Sequence, residues 1–209
     1  RNEMEQVINS EFTSAWIGKL AERVAGSTDQ LVNAERPILS AALPSGERFQ
    51  CVLPPAAPDG GAISIRKQVI KEISLSGYKE AGAFAKTRMG RSLELSDAEQ
   101  ELIGLLDGDP MEFLSCAVKG RVSIVVSGGT STGKTTFLNA LLKEIPSSER
   151  IITIEDTREL KPTTPNTLAL IASKGDQGKA RVDAQSLLEA SLRMRPDRIV
   201  VGECRAGEA

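Results

Sequence analysis

The chain has 209 residues, a formal net charge of −2 and a sequence pI near 5.5, with 40% hydrophobic and 26% charged residues. That balance supplies a packed core and one large domain or two small ones, and it argues against a general nucleic-acid binder, which carries a basic face. Histidine is absent and the three cysteines, Cys51, Cys116 and Cys204, are scattered, which removes imidazole acid–base chemistry, argues against Cys/His zinc sites and fits a reducing compartment with the cysteines in cores.

In chain order, residues 11–25 place Trp16, Leu20 and Val24 at i, i+4 and i+8, one face of a helix. The run "ERFQCVL" puts Phe49, Cys51 and Leu53 on alternate positions, and "AISIRK" does the same with Ile63 and Ile65. Both predict strands, joined by the turn-rich "PPAAPDGG". Residues 1–68 therefore read as a small N-terminal α+β domain. Residues 69–114 read as a helical linker or hinge of short helices with polar breaks. Within it, "SDAE" at residues 96–99 is a capping-box signal, and Asp109-Pro110 starts another helix. Residues 115–209 alternate: "RVSIVVS" predicts a buried strand, "KTTFLNALLKEI" a helix, and "RIITIED" and "TLALIA" strands. "DAQSLLEASLRM" then predicts a helix with Leu187, Leu188 and Leu192 on one side, and "RIVVGE" a last strand. Alternating buried strands and helices imply an α/β parallel sheet covered on both faces. No apolar run approaches the ~18 residues of a bilayer span. No signal peptide is visible, and the chain starts at Arg1 without Met, so its natural N-terminus is expected to be missing.

The strongest motif is "GGTSTGKT", which satisfies the P-loop pattern G-x-x-x-x-G-K-[ST]. Gly128, Gly129, Thr130, Ser131, Thr132 and Gly133 would aim backbone N–H groups at phosphate oxygens, ahead of the positive end of a helix that includes Thr136. Lys134 would reach the β- and γ-phosphates, and the Thr135 hydroxyl would ligate Mg2+. Hydrolysis of ATP also needs the far side of the metal held and a water oriented. Carboxylates at the C-terminal ends of parallel strands suit both tasks. Glu155 and Asp156, with Glu159 nearby, end one strand; Glu203 ends another, where the usual Asp is replaced by Gly202-Glu203. Either strand end could serve either task, and Gly202 gives backbone room beside Glu203.

Three motifs in order, "GGTSTGKTT", "RIITIEDTREL" and "LRMRPDRIVVGECRAGEA", resemble the type II/type IV secretion ATPase family. The stretch "RPILSAALPSGERFQCVLPP" followed by "ISIRK" is similar to its VirB-type type IV branch. The resemblance covers about residues 36–68 and 120–209. It implies a P-loop, RecA-like domain and an ATP-hydrolysing motor for secretion, conjugation or pilus assembly. A homo-hexamer is implied, working with other secretion components at the cytoplasmic face of the inner membrane. Peripheral membrane contact fits that setting, and no direct nucleic-acid binding is expected. It makes Glu203 the catalytic glutamate and Glu155, Asp156 and Glu159 an acidic box, with Glu155 and Lys134 also catalytic. The division it implies is Thr135, Glu155 and Asp156 on the metal and Glu203 on the water, with Gly202 making room beside the phosphates. It brings Arg66 from the N-terminal domain to the nucleotide. Arg158 and Arg205 become network or intersubunit residues, while Arg193, Arg195 and Arg198 read mostly as a solvated helix end. The family's histidine box is missing and the chain stops at Ala209, so the expectation is a C-terminally truncated domain. Two alternatives stay open: a nucleotide-binding module that does not hydrolyse, and a type II secretion or type IV pilus ATPase. The lack of a four-cysteine zinc module points away from the type II branch.

Overall fold

In the computed structural model, residues 4–67, 74–83, 85, 95–106, 108–173 and 180–203 are described. Cys204 and Arg205 lie outside the described residues, as does much of the 69–114 linker. The chain opens with helix α1 (Ser14–Ser27), started by Thr13, whose hydroxyl accepts the Trp16 N–H. Three strands follow: β1 (Ile38–Ala42), β2 (Arg48–Val52) and β3 (Ala62–Arg66). They form an antiparallel meander, with Leu39 opposite Cys51 and Cys51 opposite Ile63. α1 covers one face, burying Ala21, Val24 and Ala25 against Leu39, Phe49 and Cys51. Burial pushes the Cys51 thiol up to about 12, so it is packing and not a nucleophile. Among the described residues no helix is long and apolar enough to cross a membrane.

Short helices α2 (Leu75–Glu80) and α3 (Asp97–Gly104) come next, and α3 carries the expected capping box between Ser96 and Glu99. α4 (Pro110–Lys119) starts at Asp109, whose carboxylate accepts the Met111 N–H at 2.8 Å. α5 (Lys134–Leu142), β4 (Ile151–Glu155), β5 (Thr167–Ile171), α6 (Ala184–Leu192) and β6 (Arg198–Val201) complete the order. The second sheet is parallel, with β4 central between β5 and β6. It is covered on both faces. Ile152 and Ile154 of β4 pack with Leu187, Ala190 and Met194 on the α6 side, where Val52, Ala56 and Ala57 join from the antiparallel unit. Ile151 points the other way, into Val118 of α4 and Leu141 and Leu142 of α5. Each fully buried Ile or Leu contributes roughly 2 kcal/mol.

Two local expectations are corrected. Residues 121–127, whose apolar run predicts a buried strand, belong to neither sheet, and Val125 is 92% exposed. An extended run becomes a strand only where a neighbour takes its backbone hydrogen bonds. Among the described residues none does so for 123–127, and β6 is paired only on its β4 side. Only Val126 of that run packs partly against the core between α4 and α5. On α6, Leu187 is buried and Leu188 partly so, but Leu192 is 66% exposed. Leu192 lies five residues beyond Leu187, off the buried stripe, and the core face is Leu187, Ala190, Ser191 and Met194.

Candidate functional site

Residues 128–133 form an exposed loop entering α5. Gly133 is the N-cap residue with φ 87°, a left-handed conformation that glycine adopts without penalty, and Ser131 is also left-handed at φ 59°. No side chain caps α5, so its first N–H groups are left to point outward. Thr132 Oγ1 donates to the Gly129 carbonyl at 2.8 Å, and the Lys134 ammonium also donates to that carbonyl. Lys134 is thus folded over the cradle with its charge at the loop's centre. Lys134 and Thr135 are half-buried, while Thr130 and Thr136 are exposed.

α5 is tied directly to the acidic residues. Asn139 Nδ2 donates to the Glu159 carbonyl at 3.1 Å, and the Lys161 N–H donates to Asn139 Oδ1 at 2.7 Å. One amide therefore clamps the loop after β4 to the helix after the cradle. Glu155 closes that loop from below. Its Oε1 accepts the N–H groups of Glu159 at 2.7 Å and Leu160 at 2.8 Å. Glu155 is only 4% exposed, and its Oε2 is buried with no hydrogen-bond partner among the described residues. Leaving a carboxylate oxygen dry and unpaired is costly, so this oxygen suits a cation or a water brought in with a ligand. Asp156 is half-buried beside it, and Glu159 is exposed.

β6 brings the second carboxylate alongside. The Gly202 N–H donates to the Ile154 carbonyl at 2.9 Å, and Gly202 lies against the Glu155 side chain. Glu203 follows at once and is exposed. The ends of β4 and β6 are therefore adjacent, with Glu155 inside and Glu203 outside. Among the described residues no group of three or more His, Cys, Asp or Glu could hold a metal unaided.

The arginines divide. Arg66 sits at the exposed end of β3 opposite Arg48, and among the described residues no hydrogen bond or ion pair joins it to the cradle. Arg158 makes a bidentate pair with Asp59, at 2.8 and 2.9 Å. By accepting those bonds, Asp59 holds the guanidinium above its ordinary value. Arg193 and Arg195 are exposed, as expected for most of that basic run, while Arg198 is the exception: its side chain is 12% exposed and paired with buried Glu149. Arg193 is exposed and lines a cavity of about 740 Å3 between residues 35–40 and α6, whose lining includes no residue of the cradle or of the acidic strand ends. Asn139, Asp59 and Glu149 escape a sequence reading, because isolated polar residues carry no spacing signal for partners 20 to 99 positions away.

A glycine cradle opening a helix, clamped to the carboxylate-bearing end of a parallel sheet, defines a P-loop nucleotide-binding fold. The chain belongs to the type II/IV secretion system protein family, whose model matches residues 17–209. It is 41% identical over 202 residues to the type IV secretion system protein VirB11 of Bartonella quintana, covering 91% of this chain and 57% of that one. It is 43% identical over 195 residues to VirB11 of Brucella suis, covering 91% and 54%. The chain thus spans about half the length of the curated relatives it matches. The crystal structure of the VirB11 ATPase from the Brucella suis type IV secretion system, in complex with sulphate, superposes with a TM-score of 0.88 at 38% identity. That match covers 99% of this chain and 62% of that one.

Proposed function

We propose that the chain is the nucleotide-binding part of an ATP-hydrolysing motor of a type IV secretion system, coupling hydrolysis to substrate transfer or pilus assembly. The observation that carries this reading is the Asn139 clamp between the cradle helix and the Glu155 loop, which puts a phosphate cradle and an orphaned carboxylate oxygen on one rigid support. The VirB11 likeness supports the same reading. In it, residues 128–136 bind the phosphates, with the Lys134 ammonium exchanging the Gly129 carbonyl for phosphate oxygen. Thr135 and the free oxygen of Glu155, with Asp156, would hold magnesium, which when bound neutralises charge on the transferring phosphate. Glu203, exposed at the adjacent strand end, orients and deprotonates the attacking water. Arg66 would approach the nucleotide by movement of the antiparallel unit, with residues 1–68, 69–114 and 115–209 acting as domain, hinge and ATPase domain. Assembly as a homo-hexamer at the cytoplasmic face of the inner membrane, beside other secretion components, belongs to the same proposal.

Glu203→Gln is the direct test. The variant should bind a fluorescent ATP analogue as tightly as the parent while phosphate release falls about 100-fold or more. Lys134→Ala should lose the binding itself. Undiminished release in Glu203→Gln removes Glu203 from the role, and binding by the parent without any phosphate release favours a non-hydrolysing module.

A further inference from the structure

The loop at residues 156–161 has no helix or strand of its own, yet three separate parts of the molecule hold it. Glu155 Oε1 takes the N–H groups of Glu159 and Leu160, and Asn139 takes the Glu159 carbonyl and the Lys161 N–H. The third hold is Arg158, which reaches out to Asp59 in the segment between β2 and β3. Both side chains are about half exposed, at 52% and 55%. An isolated surface pair of that kind contributes little.

Two features set this one apart. The guanidinium meets the carboxylate as a two-pronged fork, which fixes direction as well as distance. Asp59 also stands on a seated segment. Ala56 and Ala57 are 2% and 1% exposed within the core around α6, the Ile171 N–H at the end of β5 donates to the Ala56 carbonyl at 2.8 Å, and the Gly61 N–H closes on the Ala57 carbonyl. A short carboxylate on a fixed backbone loses little freedom on pairing. Because Glu155 spends one oxygen on the loop, the aim of its other, unpartnered oxygen depends on the loop staying where it is.

We propose that Asp59 is a positioning residue for the metal-side carboxylate: through its fork with Arg158 it holds the 156–161 loop so that Glu155 presents Oε2, and it makes that presentation depend on docking of the β2–β3 segment. This rests on the magnesium–nucleotide reading above. The protein is compared with Asp59→Asn, Asp59→Arg, Arg158→Asp and the Asp59→Arg/Arg158→Asp swap. Amide exchange at Glu159 and Leu160, without nucleotide, should quicken about threefold to fivefold in each single variant and return to within about twofold of the parent in the swap, the range open to a well-formed exposed pair. Exchange at Ile152 and Ile154 in the strand should not change. With a non-hydrolysable ATP analogue bound, the Mn2+ dissociation constant should weaken by a similar factor in the singles, with metal-free analogue binding unaltered. Unchanged exchange in the singles, no rescue in the swap, or faster exchange without weaker Mn2+ binding each overturns the role. A parent that binds no Mn2+ with the analogue overturns the functional reading instead, and the exchange arms still decide whether Asp59 holds the loop.

Discussion

At Gly202, an added Cβ would stand 3.0 Å from Glu155 Cγ, closer than the ~3.5–4.0 Å at which carbon atoms pack. The position needs glycine for room and not for backbone freedom. The sequence suggests that the room is for phosphate; in the fold the neighbour is the Glu155 side chain. That side chain cannot swing aside freely, because two backbone N–H groups grip its Oε1. Gly202→Ala should therefore displace the carboxylate, lowering stability by about 1–2 kcal/mol as a mild overpacking and phosphate release by about tenfold or more. A thermal melt and a phosphate assay check the two effects. Parental turnover in this variant would mean that the aim of Glu155 does not matter to the reaction.

Among the elements, α5 does more than begin with a glycine-rich turn. Asn139, one turn beyond Thr135, gives its amide to both strands of a bend and so transmits the position of the cradle to the acidic loop. Asn139→Ala should lose about 1–2 kcal/mol for two hydrogen bonds, one net of the other's solvation, measured as a lower urea midpoint, with faster exchange at the Lys161 amide as its local mark. The helix itself is legible from its P-loop prefix and apolar spacing, and so are β2 to β6, each bounded by turn residues. β1 is not: "ILSAA" is short and weakly alternating, and becomes a strand because β2 lies beside it in register. The reverse holds at residues 121–127, where strong apolar character meets no pairing strand among the described residues. Local pattern reports what a segment favours, while pairing depends on residues far along the chain. The same limit hides the site's supports. The glycines, Lys134 and the acidic strand ends stand out in the sequence, but the Arg158–Asp59 fork joins residues 99 positions apart.

At the scale of the molecule, the opposite end of the parallel sheet is fixed by a charged network around Glu149. Its carboxylate is 6% exposed and accepts Arg198 Nε and, at 3.0 Å, Arg121 Nε. Arg121, left-handed at φ 61°, follows the C-cap Gly120 of α4 at the head of the segment leading to the cradle. Asp197 accepts the Arg150 N–H at 2.9 Å, and Arg150 reaches the Met194 carbonyl and Asn166 at 3.1 and 2.6 Å. Four stretches, α4, β4, β6 and the turn before β5, thus meet at one polar knot. Burial by itself would raise the Glu149 carboxyl, but hydrogen bonds and charge from Arg198 and Arg121 outweigh it and hold the carboxyl below its ordinary value. A depressed carboxyl stabilises the fold at every pH above its unfolded value, about 4.3, and that contribution drains away as pH falls from there through the folded value. Removing the charge should remove the pH dependence with it. Breaking a buried pair costs about 3–5 kcal/mol, and the exposed side of Arg121 reduces this, so Glu149→Gln should lose about 2–3 kcal/mol at pH 7. The gap from the parent should narrow steadily below about pH 4.3 as the parent's own carboxyl protonates. Urea midpoints of both proteins from pH 7 to about pH 3.5 measure it. A gap that stays constant across that range would show that shape and hydrogen bonding, not the carboxylate charge, bind the four stretches together.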